Sequence, residues 1–182
     1  SNGNFAYPVG VYDSTNNKVV VVYSGPSNRA YAVVGQISGT SISFGSEVLA
    51  VATTAYHQAG AFDANTGKVL LCYSDYDNSE YGKAVVGTVS GTSISFGSVS
   101  TFNSSATSYI SAIYDPSAQK IVIGYKDGSY PANGSLIAAT ISGTSVSFGA
   151  ESTFNSGSAQ FVSLTYNSAE DKILVFYQDQ GN

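Results

Sequence analysis

The chain holds a single histidine, His57, and a single cysteine, Cys72, in 182 residues. A serine hydrolase of the triad kind would set that histidine beside a serine. Serines are abundant, but no Gly-x-Ser-x-Gly elbow marks one of them as a nucleophile. One histidine and one cysteine do not make a zinc site of the usual kinds, and neither a metal nor another cofactor is expected. The acids offer more. Asp75, Asp127 and Asp179 occupy one recurring position, two residues beyond a tyrosine. Two of them, Asp75 and Asp127, could be imagined as the carboxylate pair of a glycoside hydrolase. The run Asp75-Tyr76-Asp77-Asn78-Ser79-Glu80 clusters oxygen donors of the type calcium prefers, but without the glycine and terminal glutamate of an EF-hand loop. Recurrence at equivalent positions points instead to repeated structure.

The stronger signal is recognition. Three segments, at 25–31, 75–83 and 127–135, vary while the sequence around them repeats. They concentrate Tyr31, Tyr76, Tyr81 and Tyr130 with Asn28, Asn78 and Asn133. Tyrosine brings contact area with a polar handle, and asparagine brings adaptable hydrogen bonding. Aromatic rings beside Asn and Asp also suit sugars. The expected ligand-binding residues are therefore Asn28, Tyr31, Asp75, Tyr76, Asp77, Asn78, Tyr81, Asp127, Tyr130 and Asn133, with no catalytic residue among them.

What must position these residues is a repeat. The octet Ser-Gly-Thr-Ser-Ile-Ser-Phe-Gly starts at Ser38 and Ser90, and at Ser142 with Val for Ile, 52 residues apart each time. It divides the chain into modules 1–50, 51–102, 103–154 and a partial 155–182. Each full module is predicted to hold four short strands. The first ends in Tyr or Phe, mostly followed by Asp, and has small residues in its middle, as in Val9-Gly10-Val11 and Ala59-Gly60-Ala61. The second, such as Lys68–Tyr73, is an almost unbroken apolar run of the kind covered on both faces. The third leads into the octet, whose Gly39, Gly91 and Gly143 are expected at positive φ in a tight turn. The fourth begins inside the octet, where Ile42 and Phe44 alternate with serine. Asp13, Asp63 and Asp115 open the turns between strands one and two, where a carboxylate bonds its own backbone. His57 aligns with Tyr7, Tyr109 and Phe161, so it stands in an aromatic position.

Four antiparallel strands every ~50 residues predict an all-β fold, a β-propeller-like array of three full blades and a half blade. The small residues of strand one suit a crowded axis, with the octet strand at the outer edge. Only 10% of residues are charged and the net charge is −5, which leaves no footprint for nucleic acid. No apolar run reaches the ~20 residues of a membrane helix. A lone cysteine allows no intrachain disulfide. The half blade is expected to be completed by a second chain or by further sequence.

The run Ala84–Gly97, Ala-Val-Val-Gly-Thr-Val-Ser-Gly-Thr-Ser-Ile-Ser-Phe-Gly, and the Tyr114-Asp115-Pro116 turn resemble a tandem repeat of predicted proteins from marine phages and other aquatic viruses. The resemblance covers all four modules and implies propeller-like repeats in a tail-fibre or virion-surface protein, in an extracellular or virion-surface setting. The expected function is a non-enzymatic, surface-exposed binding module for a glycan or a partner. The alternative is a structural virion, filament or shell component, and a glycoside hydrolase is the remaining one.

Overall fold

The computed structural model describes residues 8–129 and 132–181. Among them every extended element is a β-strand paired antiparallel, and the only helical elements are two single turns, Pro26–Asn28 and Tyr76–Asn78. Sheet A contains β1 (Val9–Asp13), β2 (Lys18–Ser24) and β3 (Arg29–Ser38) in that order. The far end of β3 pairs with β4 (Ser41–Phe44), and its near end with the first part of β5 (Val48–Asp63). The remainder of β5 then opens sheet B by pairing with β6 (Lys68–Asp75). Sheet B repeats the plan with β7 (Tyr81–Ser90), β8 (Ser93–Phe96) and the first part of β9 (Ser100–Asp115). Sheet C follows with the rest of β9, then β10 (Lys120–Asp127), β11 (Asn133–Ser142), β12 (Ser145–Phe148) and β13 (Ser152–Asn155). Sheet D has two strands, β14 (Ala159–Asn167) and β15 (Lys172–Asp179).

One difference from the sequence reading lies at the outer edge of the sheets. The octet strand is not the whole outer edge of each sheet. It shares that edge with the segment that follows it, Val48–Thr54 in sheet A, which then runs without a turn residue into the first strand of the next sheet. The module boundaries at 50/51 and 102/103 accordingly fall inside continuous strands, with no Gly or Pro within four residues of either boundary. Between β13 and β14 the corresponding strand is broken, at a segment containing Gly157.

The hairpin chemistry follows expectation. Asp13 Oδ1 accepts from the N–H groups of Thr15 and Asn16 at 3.0 and 2.9 Å, and Asp63 and Asp115 do the same one and two sheets on. Gly39, Gly91 and Gly143 have φ of 60, 61 and 61°, as the octet turn requires.

The core lies between sheets. In one cluster Val20 and Val22 of sheet A meet Val69, Leu71 and Tyr73 of sheet B. In the other, Leu70 and Cys72 on the opposite face of β6 meet Ile121, Ile123 and Tyr125 of sheet C. Residues Val69 to Asp75 are therefore buried on both faces of one strand, which explains the unbroken apolar run. Each such side chain contributes about 1.5–3 kcal/mol on full burial. Burial also pushes the Tyr125 hydroxyl up, beside Glu151 Oε2, to which it donates at 3.0 Å. The first strands β1, β5 and β9 of successive sheets lie side by side, and a groove of about 270 Å³ runs over their small residues Gly10, Gly60, Ala61 and Ala112.

Candidate functional site

The most unusual local geometry lies where the first strand of each sheet begins. At His57-Gln58 in sheet B two residues stand opposite the single Tyr73, so the pairing slips between Tyr56 and Ala59. The same slip occurs at Tyr109-Ile110 opposite Tyr125 and at Phe161-Val162 opposite Tyr177. A bulge of this kind asks its first residue to adopt positive φ, a place usually taken by glycine. Here it is held by His57, Tyr109 and Phe161, with φ of 51, 52 and 51°. An aromatic residue in that conformation costs on the order of 1–3 kcal/mol. The chain accepts that strain three times.

The bulge also positions the three rings in one row. His57 and Tyr109 have centroids 5.4 Å apart, and Tyr109 and Phe161 5.0 Å apart, both tilted. Phe161 is 65% exposed at the end of the row. A cleft of about 540 Å³ follows the row and is floored by Gln58, Ile110 and Val162. Gln58 is buried; its Nε2 donates to Ser24 Oγ at 2.8 Å and to the Ala55 carbonyl at 3.2 Å. Its Oε1 has no hydrogen-bond partner among the described residues. On the other side of His57 a smaller hollow of about 160 Å³ is lined by Tyr56, Ser74, Tyr76 and Glu80. Burial pushes the His57 imidazole below its ordinary value, and the Glu80 carboxylate partly opposes this.

Part of the expected site joins this region. Tyr76, exposed on the turn after β6, meets Tyr56 edge-on at 5.3 Å. Asn28, from the equivalent turn of sheet A, donates to the Tyr56 hydroxyl at 3.2 Å. Asn28 and Tyr76 thus converge on one tyrosine from two sheets. The other expected residues do not gather there. Tyr31 and Tyr81 lie within strands β3 and β7, with Tyr31 stacked on Tyr23 at 6.5 Å and Tyr81 beneath the Lys83 ammonium. Asp77 Oδ2 accepts from the Thr54 N–H at 2.9 Å, which holds its carboxyl below the ordinary range. Asn78 is exposed on the turn Tyr76–Asn78. Tyr130 lies outside the described residues.

The recurring acids are built into the sheets. Asp127 Oδ1 accepts from Asn103 Nδ2 at 3.1 Å and from the Ser129 N–H at 3.0 Å. Asp179 repeats this with Asn155 and Gly181. In sheet B the place of that asparagine is taken by Val51, and the buried Asp75 keeps an Oδ1 without a partner among the described residues. Asn133 accepts from Ser135 Oγ at 2.6 Å, at the start of β11. Among the described residues no three His, Cys, Asp or Glu side chains come together as a metal site would need, and no helix is long and apolar enough to cross a membrane.

His57, Tyr109 and Phe161 share one aligned position in the sequence but are not among the ligand-binding residues expected from it. The signal was that one column, aromatic at every occurrence or histidine, at the head of a strand otherwise made of small residues. No family model, curated protein or solved structure matches this chain.

Proposed function

We propose that this chain is a non-enzymatic recognition module, a propeller-like array of blades that binds a glycan along the aromatic row His57–Tyr109–Phe161. The observation that carries the reading is the thrice-repeated strained bulge. Backbone strain clusters where a side chain must be aimed, and here it aims one ring per sheet into a shared cleft. Aromatic walls with a few polar groups are the usual make-up of a ligand site. Sugar rings offer C–H faces for such walls and hydroxyls for groups like Asn28 and Glu80. A row with one ring per repeat suits a chain of sugar units better than a compact metabolite. The placement of β1, β5, β9 and β14 as first strands supports the propeller-like arrangement, with the octets toward its rim. The repeat resemblance supports an extracellular or virion-surface setting.

A glycan array probed with the chain and with Phe161→Gly tests this. Glycine fits the positive φ without strain, so the variant keeps its fold while losing an exposed ring. Binding to a common set of oligosaccharides, lost in the variant, is the expected result. Binding unchanged in Phe161→Gly would remove the row as the site. A second reading, a structural component of a virion or filament, draws on the exposed apolar side chains of sheets A and D, such as Ile42, Leu174 and Phe176. An array with no binding at all, from a chain that forms ordered assemblies, would favour it.

A further inference from the structure

Among the described residues, sheets A and D each carry an apolar face that is more exposed than its equivalents in sheets B and C. Each internal junction is made the same way. Val20 and Val22 of β2 pack on Val69, Leu71 and Tyr73 of β6, and Leu70 and Cys72 of β6 pack on Ile121, Ile123 and Tyr125 of β10. Every strand of this position therefore offers one face to the preceding sheet and the other to the following one. In β2 the residues equivalent to Val69, Leu71 and Tyr73 are Val19, Val21 and Tyr23, and these are only half-buried. The outer face of sheet A continues to Ile42, which is 49% exposed, while its equivalent Ile94 in sheet B is 4% exposed. At the other end Leu174 and Phe176 stand where β6 has Leu70 and Cys72. Leu70 and Cys72 are fully buried, whereas Phe176 is 58% exposed.

We propose that the outer face of sheet A binds the outer face of sheet D of a second copy of this chain, head to tail. The occupant follows from continuity with the junctions already present. The face carrying Leu174 and Phe176 is the one that, three sheets earlier, meets the Val69-Leu71-Tyr73 surface through Val20 and Val22. Val19, Val21 and Tyr23 form the equivalent surface at the other end of the chain. No charged side chain stands among these five residues. Large apolar faces of this kind mark interaction surfaces. The contact is heterologous, so its repetition yields a closed ring if the rotation closes and a filament if it does not. It is independent of the glycan reading.

The test is sedimentation velocity on the full chain over a range of concentrations, with Val21→Asp and Phe176→Asp alone and mixed. Both positions are on outer faces, and far-UV spectra and melting curves establish that each variant folds; Val19→Asp replaces Val21→Asp if the latter does not. The wild-type chain is expected to associate. Each variant alone should associate at least tenfold more weakly, because one of the two faces is charged. An equimolar mixture should recover a two-copy species, since the intact head of one variant meets the intact tail of the other. A wild-type chain that stays monomeric throughout would overturn the proposal, as would association untouched by Phe176→Asp, which would mean that two sheet A faces pair with each other. A mixture that fails to recover would also count against it.

Discussion

Gly97, the last residue of the second octet, lies directly against the carbonyl of Thr144 in the turn of the third. A β-carbon on Gly97 would come within 2.0 Å of that oxygen. Gly45 stands in the same relation to Thr92, at 1.9 Å. The octet's closing glycine is thus the seat for the next octet's turn, which is why the motif ends as it does. Gly149 ends the third octet with nothing closer than the Ala138 carbonyl at 3.7 Å. Gly97→Ala is expected to lower stability by about 1–3 kcal/mol through overpacking against backbone. Gly149→Ala should change it by less than about 0.5 kcal/mol, the range of ordinary surface substitutions. Urea unfolding of the two variants checks the pair, and equal effects would show that the octets do not seat on one another.

Cys72 reports on the junction between sheets B and C. It is fully buried there, and burial pushes its thiol well up from the ordinary value. A disulfide reagent at neutral pH should therefore leave it untouched until the chain opens. Labelling is expected to rise along the same denaturant curve as the loss of the β-sheet spectrum. Rapid labelling of the native chain would mean that the junction opens by itself.

His57 gives stability a pH dependence of known sign. Its imidazole is held below the ordinary value of 6.5, chiefly by burial, so the folded chain prefers it neutral. Between the lowered folded value and 6.5 the unfolded chain binds more protons, and stability rises with pH through that window. This contribution is complete above 6.5 and is lost as the pH falls through the folded value. Asp77, also lowered, is separable, because its share is lost only as the pH falls below the ordinary carboxyl value of 3.8. Melting temperature followed from pH 8 to pH 5 should decline for the wild-type chain and decline less for His57→Phe. Identical slopes would contradict the assignment.

Much of the architecture was legible because its causes are local. The period shows in an octet with two glycines, one for positive φ in every copy and one for close approach at Gly45 and Gly97. The two-faced strand Lys68–Asp75 showed itself as an apolar run, and Asp13, Asp63 and Asp115 as turn residues. The fourth module, with two strands expected, forms the two-stranded sheet D. The bulges were hidden by the residues that occupy them. A glycine at 57, 109 or 161 would have announced positive φ, whereas an aromatic residue there reads as ordinary strand. The shared strands β5 and β9 are not legible in the sequence, because nothing in Val48–Asp63 marks the point where one sheet hands over to the next. Tyr31 and Tyr81 read as loop residues in the sequence, whereas the single turns Pro26–Asn28 and Tyr76–Asn78 close these two connections and strand pairing resumes at Arg29 and Tyr81.

The central claim is that a glycan lies along His57, Tyr109 and Phe161. The chain has one histidine, so its ring C–H resonances are unambiguous in a proton NMR spectrum. Titration with the oligosaccharide chosen from the array should shift the His57 resonances in a saturable way, and the shift should vanish in Phe161→Gly. Saturable binding of the same oligosaccharide that leaves the His57 resonances unmoved would contradict the account.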